Sequence, residues 1–547
     1  MRLQLDRRAF LTASAAGLLL PVRPALAGLW ADRGFTHGVA SGDPGPDSIK
    51  LWTRYAAADG RDAPLKVEVA TDYGFGTIIA HTEAIAGPAT WGTAQARITG
   101  LPPGGWLFYR FTAPDGSTSP IGRTRTLPTG PLSRFNIAVF SCANKPFGWF
   151  NAYAHAAARS DLDLVVHLGD YLYEYQRGAY PSAAETLAGR DIEPATEMLR
   201  LDDYRQRYAS YRVDPGLQEL HRLFPMISIW DDHEFANDAW KGGAQNHQPD
   251  EGEWSARKAT ARQVHGEWLP GPDRIWQRYD IGNLLSLITL DTRVEGRDRQ
   301  LDLGAALKDG KPGLIGFRDT QWNAPERTLL GADQEAFVTD ALKASVKSGQ
   351  KWQLVAQQIV MGNMFTPKEA LGWVGPESDP RALGFIKAGI AAASVGIPGS
   401  MDMWSGYPQA RKRLLKAAQS ANADLVVISG DSHNAWAFNL AESGRPAGVE
   451  FAGQSVTSPG YESELAADPA VVQAGLIAAN PEMAWCDTSR RGYMTVGFTP
   501  ETARADWVFV STIRDRSLAT TTPQAATVQR TNARCNSPDK GKAAINT

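Results

Sequence analysis

Four short clusters hold most of the side chains able to bind metal ions and move protons. They are Ser141-Cys142-Ala143-Asn144, Gly169-Asp170-Tyr171-Leu172-Tyr173, Asp231-Asp232-His233-Glu234 and Gly430-Asp431-Ser432-His433. Asp170 leaves the apolar run Leu164 to Gly169, where a carboxylate is costly unless it is paired or liganded. Gly169 permits a tight turn there. Tyr173, three residues on, suits one helical turn from the strand end, so Asp170 and Tyr173 could share one ion. The plainer alternative has Asp170 capping that helix and Tyr173 packed in the core. Asp431 and His433 repeat the arrangement after Leu425 to Gly430. In an extended chain such residues point the same way, so they could contact one ion or flank two. Alternatively they are an N-cap and a core histidine. Asp231 to Glu234 puts three carboxylates and an imidazole in four positions. That crowding raises pKa values, and a cation relieves it; a solvated acidic loop would need none. Of three cysteines, Cys486 and Cys535 come late and could pair. Cys142 is then the odd thiol, either a thiolate ligand or a buried inert side chain.

Each cluster follows an apolar run. The expected strands are Phe135 to Phe140, Leu162 to Leu168, Met226 to Trp230, Leu284 to Leu290, Trp352 to Ile359 and Leu425 to Ser429, with helical stretches between them. Such strands read as buried on both faces. Sites of α/β folds form outside the carboxyl ends of the strands, where these clusters lie. Later β-like segments are Met494 to Phe498 and Trp507 to Thr512. Residues 134–512 therefore read as one large α/β domain with long insertions, and 513–547 as a polar tail or loosely packed cover. Before it, residues 36 to 128 alternate in short runs such as Leu65 to Ala70 and Trp106 to Phe111, broken by turn-rich pieces. That pattern predicts a small all-β sandwich over 28–128, or, more plainly, a β-rich extension of the main domain. Pro128-Thr129-Gly130-Pro131 reads as the linker.

The first 27 residues read as an export signal: Arg7-Arg8, a short apolar stretch, then Ala25-Leu26-Ala27. The paired arginines resemble the twin-arginine signal of bacteria, which implies export by that machinery to the periplasm or beyond. A plain amphipathic start is the alternative. The apolar stretch is far short of the roughly 20 residues that span a bilayer, so no membrane span is expected. The chain has 547 residues, a formal net charge of -3, 43% hydrophobic and 21% charged residues. That balance is ordinary for a globular protein and argues against global disorder. It also lacks the basic footprint of a nucleic-acid binder.

Taken together, the twin-arginine start, the β-rich N-terminal region and the ordered SC, GDYLYEY, WDDHE and GDSH clusters resemble the PhoD-like alkaline phosphatase/phosphodiesterase family of secreted metallophosphoesterases. The resemblance runs from about Phe35 to Thr512. It implies an immunoglobulin- or fibronectin-like sandwich followed by a four-layer α/β/β/α metallophosphoesterase domain. It also implies ferric iron combined with calcium; zinc or another divalent pair is the alternative. Carried over by motif, Cys142, Asp170, Tyr173 and His433 are the implied iron ligands. Asp170 then bridges to a second ion, joined by Asp232 and Asp431. The general metallophosphoesterase pattern has Asn-His where Asp232-His233 stands, Gly-His-x-His where Gly430 to His433 stands, and begins with Asp-x-His where Ser141-Cys142 stands. These departures fit the PhoD-like branch and speak against an ordinary two-transition-metal site. The donor chemistry agrees. Phenolate and carboxylate suit a trivalent ion and oxygen-only ligands suit calcium, whereas a tetrahedral Cys/His zinc site has no need of Tyr173.

The implied reaction is direct hydrolysis of phosphate monoesters, and of diesters alongside, by metal-activated water. His233 would contact a phosphate oxygen and protonate the leaving alkoxide, with Glu234 orienting it or pairing with a local cation. Asn144 and Arg293 are weaker phosphate contacts, and Arg293 could equally be a structural ion pair. A serine nucleophile is disfavoured, because no Gly-x-Ser-x-Gly elbow accompanies a triad. The alternative substrates are diesters of phospholipids, nucleotides or wall polymers. A distant alternative is a non-catalytic binding module. The sequence leaves the oligomeric state open.

Overall fold

The computed structural model describes residues 33–376, 380–531 and 534–535. The export segment expected over 1–27 lies outside them. Seven strands come first: β1 (Gly34–Gly42), β2 (Ile49–Ala56), β3 (Ala63–Ala70), β4 (Ile78–Ala86), β5 (Thr93–Ile98), β6 (Trp106–Thr112) and β7 (Gly122–Arg125). They form two facing layers, β4-β3-β6-β7 against β1, β2 and β5. Alternate residues of both layers, such as Leu51, Leu65, Val67, Leu107 and Phe111, fill the shared core, as the pleat requires. One feature differs from the expected free-standing sandwich. β1 pairs in parallel with β10 (Pro225–Ser228) at Ser41↔Pro225 and Gly42↔Met226, so its layer continues a sheet of the main domain.

That ten-stranded sheet runs on through β9 (Leu164–His167) and β8 (Phe135–Phe140), which lie parallel to β10. It ends with β18 (Gly492–Phe498), β19 (Thr502–Phe509), β20 (Gln524–Thr531) and β21 (Arg534–Cys535). Thus 513–531 is not a tail: β20 pairs with β19 from Thr502↔Gln529 to Trp507↔Gln524. The strand is polar-rich yet packed: Val528 is buried in the inter-sheet core, and Arg530 donates to the Lys351 carbonyl and to Asp424 at the strand starts of the facing sheet. The facing seven-stranded sheet contains β11 (Arg278–Ile281), β12 (Leu285–Thr289), β13 (Trp352–Ala356), β14 (Leu425–Ser429), β15 (Ala435–Glu442), β16 (Arg445–Ala452) and β17 (Met483–Asp487). Of these, β12, β13, β14 and β16 run parallel.

The two sheets pack face to face. Trp507 meets Phe451 at 6.0 Å and Trp485 at 4.6 Å between ring centroids. Leu285, Leu287, Leu354, Val426 and Ile428 turn into this inter-sheet core. Their neighbours Ile288, Val355, Leu425 and Val427 turn outward, against helices Ala332–Lys347 and Pro408–Ala421. Helices Asn151–Ala157 and Pro215–Leu223 cover the far face of the other sheet. The order is α/β/β/α, four layers. Strands buried on both faces explain why they read as unbroken apolar runs rather than alternating ones.

Register then sets the site. Phe140, His167 and Ser228 lie level at the carboxyl ends of β8, β9 and β10, and Thr289, Ala356 and Ile428 lie near-level in the facing sheet. Every polar cluster begins within three residues of one of these ends. No helix in the described residues is long and apolar enough to cross a membrane.

Candidate metal centre

The strand ends of the two sheets are stitched together by buried amides. Gln358 donates to the carbonyls of Trp230 (2.7 Å) and Leu290 (3.0 Å) and accepts from the Thr292 hydroxyl (2.7 Å). Two glycines let the loops approach. A Cβ on Gly430 would stand 2.5 Å from Ser141 Oγ, and one on Gly169, at φ +106°, would stand 2.3 Å from the Asp231 amide. The backbone is left-handed at Cys142 (φ 59°), Asp170 (51°), Asp431 (60°) and His433 (62°). For residues with a Cβ this conformation costs on the order of 1–2 kcal/mol each. Such strain persists where surrounding structure imposes it, commonly at functional sites. Neither the helical turn expected at Asp170 nor the extended Asp431–His433 pair forms; left-handed turns replace both.

These turns bring the expected side chains together. Ligand atoms of Cys142, Asp170 and His433 lie within 4.8 Å of one another, as do those of Asp170, Asp232 and His233, and those of Asp231, Asp232 and Asp431. The Tyr173 hydroxyl joins the first group, 3.0 Å from Asp170 Oδ2 and 3.3 Å from His433 Nε2. Asp431 and His433 therefore flank two places rather than share one. His433 Nδ1 donates to the Pro459 carbonyl at 2.7 Å. Burial, first among the causes, drives its pKa down to about 3. The ring is neutral, with the Nε2 lone pair turned toward Tyr173, the tautomer a metal ligand needs.

The electrostatics leave unmet negative charge. Burial first, then neighbouring carboxylates, pushes the Asp170 carboxyl well above the usual range, opposed by His233. Burial and the Asp170 charge push up the Cys142 thiol, and the same two causes push up the Tyr173 phenol. Asp170 Oδ1 and Asp232 Oδ1 are buried with no hydrogen-bond partner. Orphaned carboxylate oxygens beside a thiol, a phenol and a neutral imidazole fit bound cations, which would oppose the upward shifts of Asp170, Cys142 and Tyr173.

His233 has a partner that the sequence did not suggest. Its Nδ1 meets Glu174 Oε2 at 2.7 Å, and Glu174 Oε1 is held by the Asn237 amide (2.7 Å) and Asn246 Nδ2 (2.9 Å). Burial lowers the His233 pKa, but Asp170, Asp232 and Glu174 outweigh it and hold it well above the ordinary value. Glu234, expected to orient His233 or pair with a cation, does neither. It accepts from the amides of Asp170 (3.1 Å), Tyr171 (2.6 Å) and Asp231 (2.6 Å), pinning two loops together.

Arg293 is fully buried and surrounded by acids. It donates to Asp231, to both oxygens of Asp402 (2.9 and 3.0 Å) and to Asp431, with Asp232 at 3.5 Å. This arrangement matches the ion-pair alternative: the guanidinium is engaged by carboxylates. The crowding in Asp231 to Glu234 is thus relieved in part by Arg293 and by backbone amides. Asn144 is buried, its Nδ2 at 3.4 Å from the Tyr180 carbonyl and its Oδ1 unpartnered. Ser458 donates to the Tyr173 hydroxyl at 2.7 Å. Cys486 is a buried free thiol; the side chain of Cys535, its expected partner, lies outside the described residues.

Two facing mixed sheets, parallel at their centres, with convergent acids, histidines, a thiol and a phenol at the carboxyl ends of the parallel strands define a metallophosphoesterase-type architecture. A family model described as PhoD-like phosphatase matches residues 137–507, and one for the N-terminal domain of PhoD-like phosphatases matches residues 23–128. Alkaline phosphatase D of Bacillus subtilis (strain 168) is 33% identical over 525 residues, spanning 91% of this chain and 81% of that protein. A solved structure of PhoD superposes with a TM-score of 0.75 at 31% identity, with 91% of each chain covered. A purple acid phosphatase from yellow lupin (Lupinus luteus) seeds shares the fold, with a TM-score of 0.55 at 12% identity over 92% of this chain and 75% of its own. The chain belongs to the PhoD-like phosphatase family, and with it to the phosphoric ester hydrolases.

Proposed function

We propose that this protein is an alkaline phosphatase that hydrolyses phosphate monoesters, with diesters as secondary substrates. The observation that carries the reading is Asp170. It is shared between a group with Cys142 and His433, beside Tyr173, and a second group with Asp232 and His233. Cys142, Asp170, Tyr173 and His433 would hold ferric iron; Asp170, Asp232 and Asp431 would hold calcium, with zinc or another divalent pair as the alternative. When bound, these cations supply Lewis-acid charge and make water a nucleophile near neutral pH.

The chain's own side chains do the rest. His433 keeps Nε2 unprotonated through its bond to Pro459. Ser458 and Asp170 fix the Tyr173 hydroxyl. His233, whose pKa Asp170, Asp232 and the Glu174 carboxylate at its Nδ1 raise against burial, offers its other N–H to a phosphate oxygen and gives that proton to the leaving alkoxide. Asn144 is the additional phosphate contact. Arg293 is a counter-ion that keeps Asp231, Asp402 and Asp431 in place. The sandwich over 28–128 and the catalytic domain over 134–512 act as one exported unit, delivered by the twin-arginine machinery to the periplasm or outside. Its partners are small phosphate esters.

The test is metal analysis of the purified protein together with a panel of chromogenic mono- and diesters, with and without calcium. Bound iron and calcium-supported monoester hydrolysis are expected. A folded, metal-replete protein that cleaves no ester would refute the reading.

A further inference from the structure

Four aromatic rings form a closed circuit at the centre. Between ring centroids, Tyr173 stands 4.2 Å from His233, His233 5.4 Å from Tyr175, Tyr175 5.6 Å from Tyr180, and Tyr180 6.0 Å from Tyr173. Tyr173 and His233 are buried, whereas Tyr175 and Tyr180 are half-buried, so the second pair lies on the solvent side of the first. The phosphate chemistry above gives Tyr175 and Tyr180 no task, yet both are held in place. The buried Arg207 donates to the carbonyls of Tyr173 and Tyr175 (3.1 Å to the second), and also to those of Pro194 and Thr196. Phe147 meets the Tyr180 ring edge-on at 5.0 Å, and Asn144 Nδ2 reaches the Tyr180 carbonyl at 3.4 Å. Among the described residues neither outer hydroxyl has a hydrogen-bond partner, and neither is sealed from water. Half-exposed rings with wet hydroxyls, fixed from behind, suit a face that a ligand covers rather than a core. Their place matters because of His233. Its Nδ1 is engaged by Glu174, so the remaining ring N–H serves the leaving alkoxide, and Tyr175 packs beside that ring. The group on the leaving oxygen thus comes up against the outer pair.

We propose that Tyr175 and Tyr180 form an aromatic wall that stacks against a planar ring on the leaving oxygen, and so favours aryl or nucleobase-bearing phosphate esters over saturated ones of equal size. The inference rests on the phosphoesterase reading and on His233 as its acid. Its test is kcat/KM of the metal-loaded enzyme for benzyl phosphate against cyclohexylmethyl phosphate, two primary esters of similar size whose leaving groups differ little in basicity. Benzyl should lead by about two- to tenfold, the range of a stacked aromatic pair. Tyr175→Leu and Tyr180→Leu should each bring that ratio toward one, and Tyr175→Phe, which keeps the ring, should keep the ratio. Because the ratio compares two esters on one variant, it does not depend on the fraction folded. With the benzyl lead present, AMP against ribose 5-phosphate identifies the ring. A Tyr175-dependent lead for AMP assigns the wall to a nucleobase; a lead for benzyl alone assigns it to an aryl group next to the phosphate. Equal rates for the benzyl pair in the parent, or a benzyl lead that survives in both leucine variants, overturns the wall while leaving the phosphatase standing. A proportional loss of both esters in those variants also overturns it, because mere support of His233 would give that result. Preference for phosphocholine over its uncharged isostere 3,3-dimethylbutyl phosphate, without a benzyl lead, overturns it too, since the rings then face a cation. No phosphate released from any ester, 4-nitrophenyl phosphate included, brings down the phosphatase reading and the wall with it.

Discussion

Glu174→Gln is the most informative substitution in the centre. Glu174 is fully buried, and its two oxygens meet three donors: His233 Nδ1, the Asn237 amide and Asn246 Nδ2. A glutamine keeps the shape but turns one end into a donor facing another donor. Hydrogen bonds to charged groups contribute about 1.5–3 kcal/mol, so losing the His233 contact should lower kcat by roughly tenfold to a hundredfold. The pH profile should move as well. Burial lowers the His233 pKa, and Asp170, Asp232 and Glu174 raise it above the ordinary value. With cations offsetting the two aspartates, Glu174 is the charge that keeps the ring protonated. A general acid works while protonated and fails as pH rises through its pKa, so removing the Glu174 charge shifts the alkaline limb of kcat to lower pH. The assay is a pH–rate profile on a monoester, with circular dichroism and metal content confirming an intact, loaded protein. An alkaline limb that stays in place, with kcat within about twofold of the parent, would refute the assignment of His233 as acid and Glu174 as its positioning partner.

Three further outcomes follow from the same geometry. Tyr173→Phe removes the hydroxyl that meets Asp170, His433 and Ser458; a visible absorption band in the iron-loaded protein should weaken or vanish, measured by spectrophotometry at matched iron content. Asp232→Ala should abolish activation by calcium while leaving iron content near the parent's, and calcium activation that persists would count against the second site. Arg293→Met strands Asp231, Asp402 and Asp431 in the interior. Breaking a buried ion pair costs about 3–5 kcal/mol, so thermal melting should fall sharply without divalent cation and recover partly on adding calcium.

The strands that carry the chemistry were legible because burial on both faces writes itself as an apolar run. Phe135–Phe140 and Leu425–Ser429 have the bounds read from sequence. The strand Arg445–Ala452 carries no such signature at its start, since Arg445 and Pro446 are exposed. The six expected ligands do converge, yet neither the helical turn expected from Asp170 to Tyr173 nor the extended pair Asp431 and His433 forms. Regular helix or strand spacing cannot anticipate left-handed turns at Cys142, Asp170, Asp431 and His433, which depend on Gly169 and Gly430 admitting a neighbouring loop. Glu174 could have been suspected, standing beside Tyr173 in the GDYLYEY segment. Asp402 and Ser458 could not, because each lies in a long loop far from any cluster and reaches the centre only through tertiary packing. Glu234 misled for a related reason: adjacency in sequence suggested His233, whereas a tight turn sends the carboxylate to three backbone amides.

The most direct test is anomalous X-ray diffraction from crystals of the purified protein, collected at the iron edge. The account predicts an iron peak within bonding distance of Cys142 Sγ, an Asp170 oxygen, Tyr173 Oη and His433 Nε2, with a lighter cation between Asp170, Asp232 and Asp431. Crystals of active enzyme with no metal among these side chains, or with zinc alone bound without Tyr173, would contradict it.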